Sequence, residues 1–230
     1  VTYVRSTVAH GIITSIDAGD ARQMPGVVAV HTGADLGLEP VASTFNPMAT
    51  RTLLATEKVR YVGEPLAVIV SETREQGEDA AEMVIVDYDV LPALIDVEEA
   101  MNSSALLYEA CGSNVVFDTT VLGIPENTGD AFFADCEVVV KGRFLNQRVA
   151  PCPLEVRGAA AAWGPDGRLV EWISTQHAQG AVAPIAKANG VDPSQVHIKT
   201  ADVGGGFGAK IGTYPEEQLL GVIAKHVGKP

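Results

Sequence analysis

The chain has 230 residues, 47% apolar and 20% charged, which marks it as globular with room for one large core or two ordinary ones. With 16 Lys+Arg against 29 Asp+Glu the net charge is −13, the wrong sign for a nucleic-acid or anionic-membrane surface. No apolar run approaches the roughly 20 residues needed to cross a bilayer.

In chain order, Ile12–Ile16 reads as a strand. Asp17–Met24 is a short helical turn stopped by Pro25-Gly26, and Val27–His31 is a second, β-branched strand. Residues 33–56 carry Pro40 and Pro47 and read as irregular. Leu66–Val70 is a continuous apolar run of strand length, expected to be buried on both faces. Thr73 and Gln76 have the spacing of a capping box that opens a helix to about Met83. Val84–Val90 returns as a strand and ends at Pro92. Residues 1–100 therefore form a small α+β unit. Residues 101–130 are turn-rich and polar (Asn102-Ser103-Ser104, Gly112-Ser113-Asn114, 125–129) and read as a linker.

A second unit occupies 131–230. Glu137–Phe144 is expected as a strand. Gly158–Trp163 and Arg168–Ser174 form a hairpin about Gly164-Pro165-Asp166-Gly167. Ala178–Asn189 is helical despite Gly180 and Pro184, and Gly190 stops it. Gln195–Thr200 is a strand. Pro215–Val227 is a helix with Pro in its first turn, Glu216-Glu217 at the positive end of the dipole and Gly228 as its stop.

Cys111, Cys136 and Cys152 are odd in number and widely spaced, so neither a disulfide framework nor an iron–sulfur or zinc site is expected on this chain. Each is read as a small buried hydrophobe, and a cytoplasmic, reducing setting fits. No signal-peptide pattern is present near Val1. A start at Val1 without Met and a stop at Pro230 read as a piece of something longer.

Between the last strand and the last helix lies Gly204-Gly205-Gly206-Phe207-Gly208-Ala209-Lys210, with Gly212 beyond it. Glycines cluster where the backbone takes φ > 0 or comes close to another molecule, and free N–H groups in such a turn cradle anions. A P-loop fails because Lys210 follows Ala209 and precedes Ile211. A dinucleotide fingerprint fails because no acidic residue closes a following strand. A structural glycine turn stays open.

The ordered series of segments resembles the xanthine dehydrogenase/aldehyde oxidase family, which includes the large subunit of aerobic carbon monoxide dehydrogenase. Asp202–Lys210 resembles the family's molybdopterin loop. Leu169–Gln176, ending Ser174-Thr175-Gln176, resembles the segment whose glutamine reaches the molybdenum centre, and Pro153-Leu154-Glu155-x-Arg157 the segment before it. Tyr61–Val68, Val86-x-Tyr88-x-x-Leu91-Pro92 and Val1–Leu36 resemble the N-terminal hammerhead domain, without its first strand.

The resemblance implies an α+β chain: a hammerhead α/β domain, then the first part of a mixed α/β molybdopterin-binding domain. It implies a molybdopterin-dependent oxidoreductase that oxidises CO, an aldehyde or an N-heterocycle, with water as oxygen donor. The cofactor is molybdenum–molybdopterin in its cytosine dinucleotide form. Iron–sulfur clusters and FAD are expected on small and medium partner subunits, and the remainder of the large subunit is a further partner. By the same resemblance Gln176 donates its amide to an oxo ligand of molybdenum, a role suited to a neutral donor. Gly205, Gly206, Phe207 and Gly208 bring backbone N–H groups to the cofactor, with Phe207 beside the metal or, alternatively, an ordinary core aromatic. Lys210 faces the cofactor's phosphate or is an exposed lysine at the helix entrance. Glu155 and Arg157 form either a supporting pair behind the cofactor or a solvated salt bridge. His177 is read as a surface or capping residue rather than a catalytic one. The family's catalytic glutamate lies beyond Pro230, so these residues alone are expected to be inactive. The alternative is a non-catalytic paralogue or assembly module of such a complex.

Overall fold

The structure is a computed structural model that describes residues 1–117 and 130–230; the expected turn at 125–129 lies outside them. The first unit holds two three-stranded sheets. β7 (Pro65–Ser71) is central in one, flanked antiparallel by β1 (Thr2–Arg5) and β3 (Val27–Thr32). Its faces alternate as a doubly buried strand requires. Ala67 and Ile69 pack with Val4, Val30 and Ala80, while Val68 joins Leu53 and Leu54, and Leu66 joins Ala55 and Val59. The second sheet orders β6 (Lys58–Val59), β2 (Gly11–Asp17) and β8 (Ile85–Val90), again antiparallel.

Helix α2 (Arg74–Glu82) covers the first sheet. Its capping box is present: Thr73 Oγ1 accepts from the Gln76 N–H, and the Gln76 side chain accepts from the Thr73 N–H. The stretch 33–56 is more ordered than its prolines suggest. Thr32 and Asp35 cap a short helix α1 (Gly33–Leu36), and β4 (Val41–Ala42) pairs with β5 (Thr50–Arg51). Strand β1 went unread because four residues carry too little pattern.

After β8 the chain forms α3 (Val97–Asn102), capped by Asp96, and docks on the first unit. There the buried Lys58 donates to the Leu106 carbonyl and pairs with Glu109, and Arg60 donates to the Leu107 carbonyl. Asn114 closes this segment through bonds to residues 100, 105 and 107.

The expected strand at Glu137–Phe144 is not formed. These residues are exposed and pair with no strand among the described residues. Their β-branched composition supplies propensity, but a strand exists only against a partner's ladder. Two of the cysteine expectations also fail: Cys136 and Cys152 are exposed and Cys111 half-buried, because the first two lie in stretches that form no helix or strand and so join no core layer.

The second unit is a mixed sheet with β10 (Leu169–Ile173) at its centre. β9 (Ala159–Trp163) pairs with it antiparallel through the expected hairpin, and β11 (Val196–Lys199) runs parallel to it. The parallel pair is joined by α4 (Ala178–Ala188), which runs through Pro184 and ends at Gly190 with φ +63°. Helix α5 (Pro215–Val227) packs on β9 and α4. Its Leu219 and Ile223 also reach the first unit, in one cluster with Leu53, Leu54 and Val68. Tyr3 Oη donates to the Glu216 carbonyl and Arg5 pairs with the Glu216 carboxylate, which pins the same helix to β1. No helix among the described residues is long and apolar enough to cross a membrane.

Candidate functional site

Two segments leave the C-terminal ends of the parallel strands β10 and β11: Ser174–His177 and the glycine loop 202–214. Ligand sites in α/β sheets form at such ends, because the loops there are free to converge. Here they converge directly. The Gln176 N–H donates to the Lys210 carbonyl at 2.8 Å, and Thr175 Oγ1 donates to the same carbonyl at 3.0 Å. Gln176 Oε1 accepts from the Gly208 N–H at 3.1 Å and the Lys210 N–H at 3.2 Å. With its oxygen thus committed, the Gln176 side chain has its –NH₂ left over, and that group makes no hydrogen bond among the described residues.

The loop itself needs glycine for two separate reasons. At Gly206 a Cβ would sit 2.3 Å from Gln176 Oε1, so the glutamine lies where a side chain would be. At Gly205 the backbone has φ +96°, outside what L side chains adopt without strain. Phe207 takes φ +49°, the one described non-glycine residue with positive φ, and the residue is 76% exposed. A strained backbone under an exposed aromatic is the opposite of a core residue, so the core-aromatic alternative for Phe207 is overturned. The N–H groups of Gly205, Gly206 and Phe207 have no hydrogen-bond partner among the described residues. Three successive free donors, the Gln176 –NH₂ beside them and an exposed ring make a surface for a flat, anionic, heteroatom-rich group. These donors fit a pterin with a phosphate; they supply no metal ligand, and no cluster of three or more ligating side chains occurs among the described residues.

Lys210 corrects both sequence expectations. Its side chain has no exposed surface, so it neither faces a phosphate nor lies open at a helix entrance. Its Nζ donates to the Glu155 carbonyl at 2.8 Å and to Glu155 Oε2 at 2.7 Å. Burying a lysine is costly unless it is paired and hydrogen-bonded, and Glu155 meets both conditions. The same Oε2 accepts from Ser174 Oγ at 2.8 Å and the Gly204 N–H at 2.7 Å. Lys210, with Ser174 and the Gly204 amide, holds the Glu155 carboxyl down to about 2. The expected Glu155–Arg157 pair is therefore absent. Arg157 instead stacks on Tyr214, 3.4 Å from its ring centroid, and Tyr214 Oη donates to the Ala209 carbonyl at 2.7 Å. His177 is exposed at the N-cap of α4 and its side chain makes no capping bond.

Sequence reasoning missed Lys210, Ser174 and Tyr214 as supports of the loop. The signal was a lone lysine closing a glycine run, which spacing alone does not distinguish from a surface residue.

Residues 108–230 match the molybdopterin cofactor-binding domain model, and residues 1–92 match the aldehyde oxidase and xanthine dehydrogenase a/b hammerhead domain model. The chain is 35% identical to the nicotine 6-hydroxylase large subunit of Paenarthrobacter nicotinovorans over 99% of its own length and 28% of the relative's. It is 37% identical to the carbon monoxide dehydrogenase large chain of Afipia carboxidovorans, over 92% of its length and 28% of the relative's. The quinoline 2-oxidoreductase of Pseudomonas putida 86 superposes with a TM-score of 0.84 at 32% identity, covering 99% of this chain and 30% of that one. The chain thus spans less than a third of the length of the proteins it matches.

Proposed function

Because the chain belongs to the xanthine dehydrogenase/aldehyde oxidase family of molybdopterin-binding proteins, we propose that it is part of the large subunit of a molybdenum hydroxylase. The reaction is oxidation of CO, an aldehyde or an N-heterocycle with water as oxygen donor. Electrons pass to iron–sulfur and FAD groups on small and medium subunits. In this reading residues 1–100 are the hammerhead domain, 101–130 a linker and 131–230 the start of the cofactor domain, and the protein works in the cytoplasm.

The observation that carries the reading is the Gln176 carboxamide, with its oxygen tied to the Gly208 and Lys210 amides and its –NH₂ free. The Gln176 –NH₂ and the free N–H groups of Gly205, Gly206 and Phe207 hold molybdenum–molybdopterin, in its cytosine dinucleotide form, while the Gly208 N–H, expected to face the cofactor, is instead spent on Gln176 Oε1 and orients the carboxamide. That group, when bound, supplies the two-electron chemistry. The chain's residues supply neutral donors of fixed direction, which orient a ligand without adding charge or exchanging protons. Phe207 offers an aromatic wall and excludes water from its side of the site.

These residues do not supply a general base. The carboxylate that touches the loop, Glu155, is held near pKa 2 by Lys210, too acidic to take a proton efficiently near neutral pH. Residues 1–230 alone are therefore inactive in this reading.

Elemental analysis for molybdenum, with fluorescence of the oxidised pterin, tests the reading on the purified protein. The expected result is one metal and one pterin per chain; absence of both overturns it. An assay of residues 1–230 with CO, an aldehyde and an N-heterocycle should show no turnover. Stoichiometric metal with turnover would sink the inactivity claim.

A further inference from the structure

Lys210 touches the site on two sides at once. Its backbone N–H and C=O both bond to Gln176, through Oε1 and N–H respectively. Its ammonium, fully buried, is anchored by the carbonyl and carboxylate of Glu155. Glu155 Oε2 is in turn the common acceptor of three donors from two segments: Ser174 just after β10, and Gly204 and Lys210 near the start and end of the glycine run. The carboxylate thus joins both ends of the glycine loop to the end of β10. A charge-assisted bond from a desolvated lysine is the strongest of the set and the least free to rearrange, since release would leave a buried ammonium unpaired.

We propose that the Lys210–Glu155 pair is a positioning clamp: it fixes the backbone of residues 208–210 so that the Gln176 carboxamide is held oxygen-inward and –NH₂-outward. Neither residue is a catalytic residue: the Lys210 side chain is fully buried, and Glu155 spends Oε2 on the three donors behind the loop. The inference deepens the proposed cofactor role of Gln176 and rests on that role for its functional meaning. The geometry it concerns belongs to the chain itself. Without the clamp the two loop amides lose their register against Oε1, and the carboxamide is free to turn over by half a rotation. Acceptor and donor would then exchange places at the ligand surface.

The test is NMR of the chain in the wild type and in Lys210→Met and Glu155→Gln. It reads the Gln176 side-chain –NH₂ resonances and the hydrogen exchange of the Gly208 and Lys210 amides. Both variants should move the Gln176 –NH₂ signals toward free-glutamine positions and raise exchange at Gly208 and Lys210 by about ten- to a hundredfold. Amides of the β10–β11 ladder, such as Val196, should keep wild-type protection. Glu155→Gln retains shape and acceptor oxygen, so it reads the charge even where Lys210→Met fails to fold. Unchanged Gln176 signals in Glu155→Gln overturn the clamp. So does loss of protection spread evenly over β9–β11, which marks a merely structural pair. Failure of the cofactor reading is separate: it appears as missing molybdenum and pterin in wild-type protein whose Gln176 signals are ordered.

Discussion

Glu171 stands in the middle of β10 with no exposed surface, and neither carboxylate oxygen has a hydrogen-bond partner among the described residues. Burial pushes its carboxyl up to about 8, with the neighbouring Gly221 amide opposing and Glu217 adding to the rise. Below about pH 4.5 both folded and unfolded chains hold the proton and the site is neutral toward stability. Above that the unfolded chain ionises first, so stability falls as pH rises toward 8, by at most about 5 kcal/mol, and then levels off. Glu64 and Glu217, also raised by burial, act in the same sense. Glu155, whose folded pKa is lowered, acts in the opposite one: its contribution is present above about 4.5 and is lost as pH falls toward 2. Glu171→Val, of similar volume and suited to a strand, should stabilise the chain little at pH 4.5 and by several kcal/mol at pH 8. Urea unfolding at the two pH values measures the difference, and a pH-independent gain would mean Glu171 is not held protonated. At the same scale, Gly206→Ala places a Cβ where Gln176 Oε1 lies. It should cost about 1–3 kcal/mol and displace the carboxamide, read by thermal unfolding and by the Gln176 side-chain signals. The glycine run and Gln176 were visible in the sequence because their chemistry is local. The Lys210–Glu155 pair was not, because its partners are 55 positions apart and only tertiary packing decides whether a lysine is buried.

Among elements, α5 has the widest reach. Its amphipathic face, Pro215 in the first turn, the acidic pair Glu216-Glu217 and the stop at Gly228 were legible, since each depends on residues within one or two turns; the N-cap Tyr214 was not. What it packs against was not. Leu219 is fully buried in a cluster drawn from β7 and the segment after β5, about 150 positions away. Leu219→Ala should therefore cost about 2–5 kcal/mol and destabilise both units together. Hydrogen exchange decides this: faster exchange in β7 as well as β9 is the expected result, and an effect confined to β9–β11 would show that the two units unfold independently. The contrast is the segment at Glu137–Phe144. Propensity there favours a strand, yet the described residues offer it no ladder, so local preference goes unexpressed. Strand β7 shows the converse. Its unbroken apolar run was read as doubly buried, and it is, because helix α2 covers one face and residues from α5 the other.

For the molecule as a whole, charge and apolar exposure pull in opposite directions. A net charge of −13 favours dispersal through mutual repulsion. Against it stand Val138, Val140, Phe144, Leu145, Val149, Leu154 and Val156, each at least 76% exposed along a single extended stretch. Exposed apolar residues scattered singly need no explanation, but a contiguous run of this kind draws chains together unless something covers it. The repulsion acts over roughly the Debye length, about 30 Å at 0.01 M salt and about 8 Å at 0.15 M, whereas apolar contact is insensitive to moderate salt. Residues 1–230 should therefore stay dispersed at low ionic strength and self-associate as salt is raised, a direction opposite to that of association through ion pairs. Light scattering across a salt series reads this directly. Val140→Ser with Phe144→Ser should move the onset to higher protein concentration. A chain that remains strictly monomeric at 0.15 M salt would show that this stretch is covered by the chain's own residues in solution.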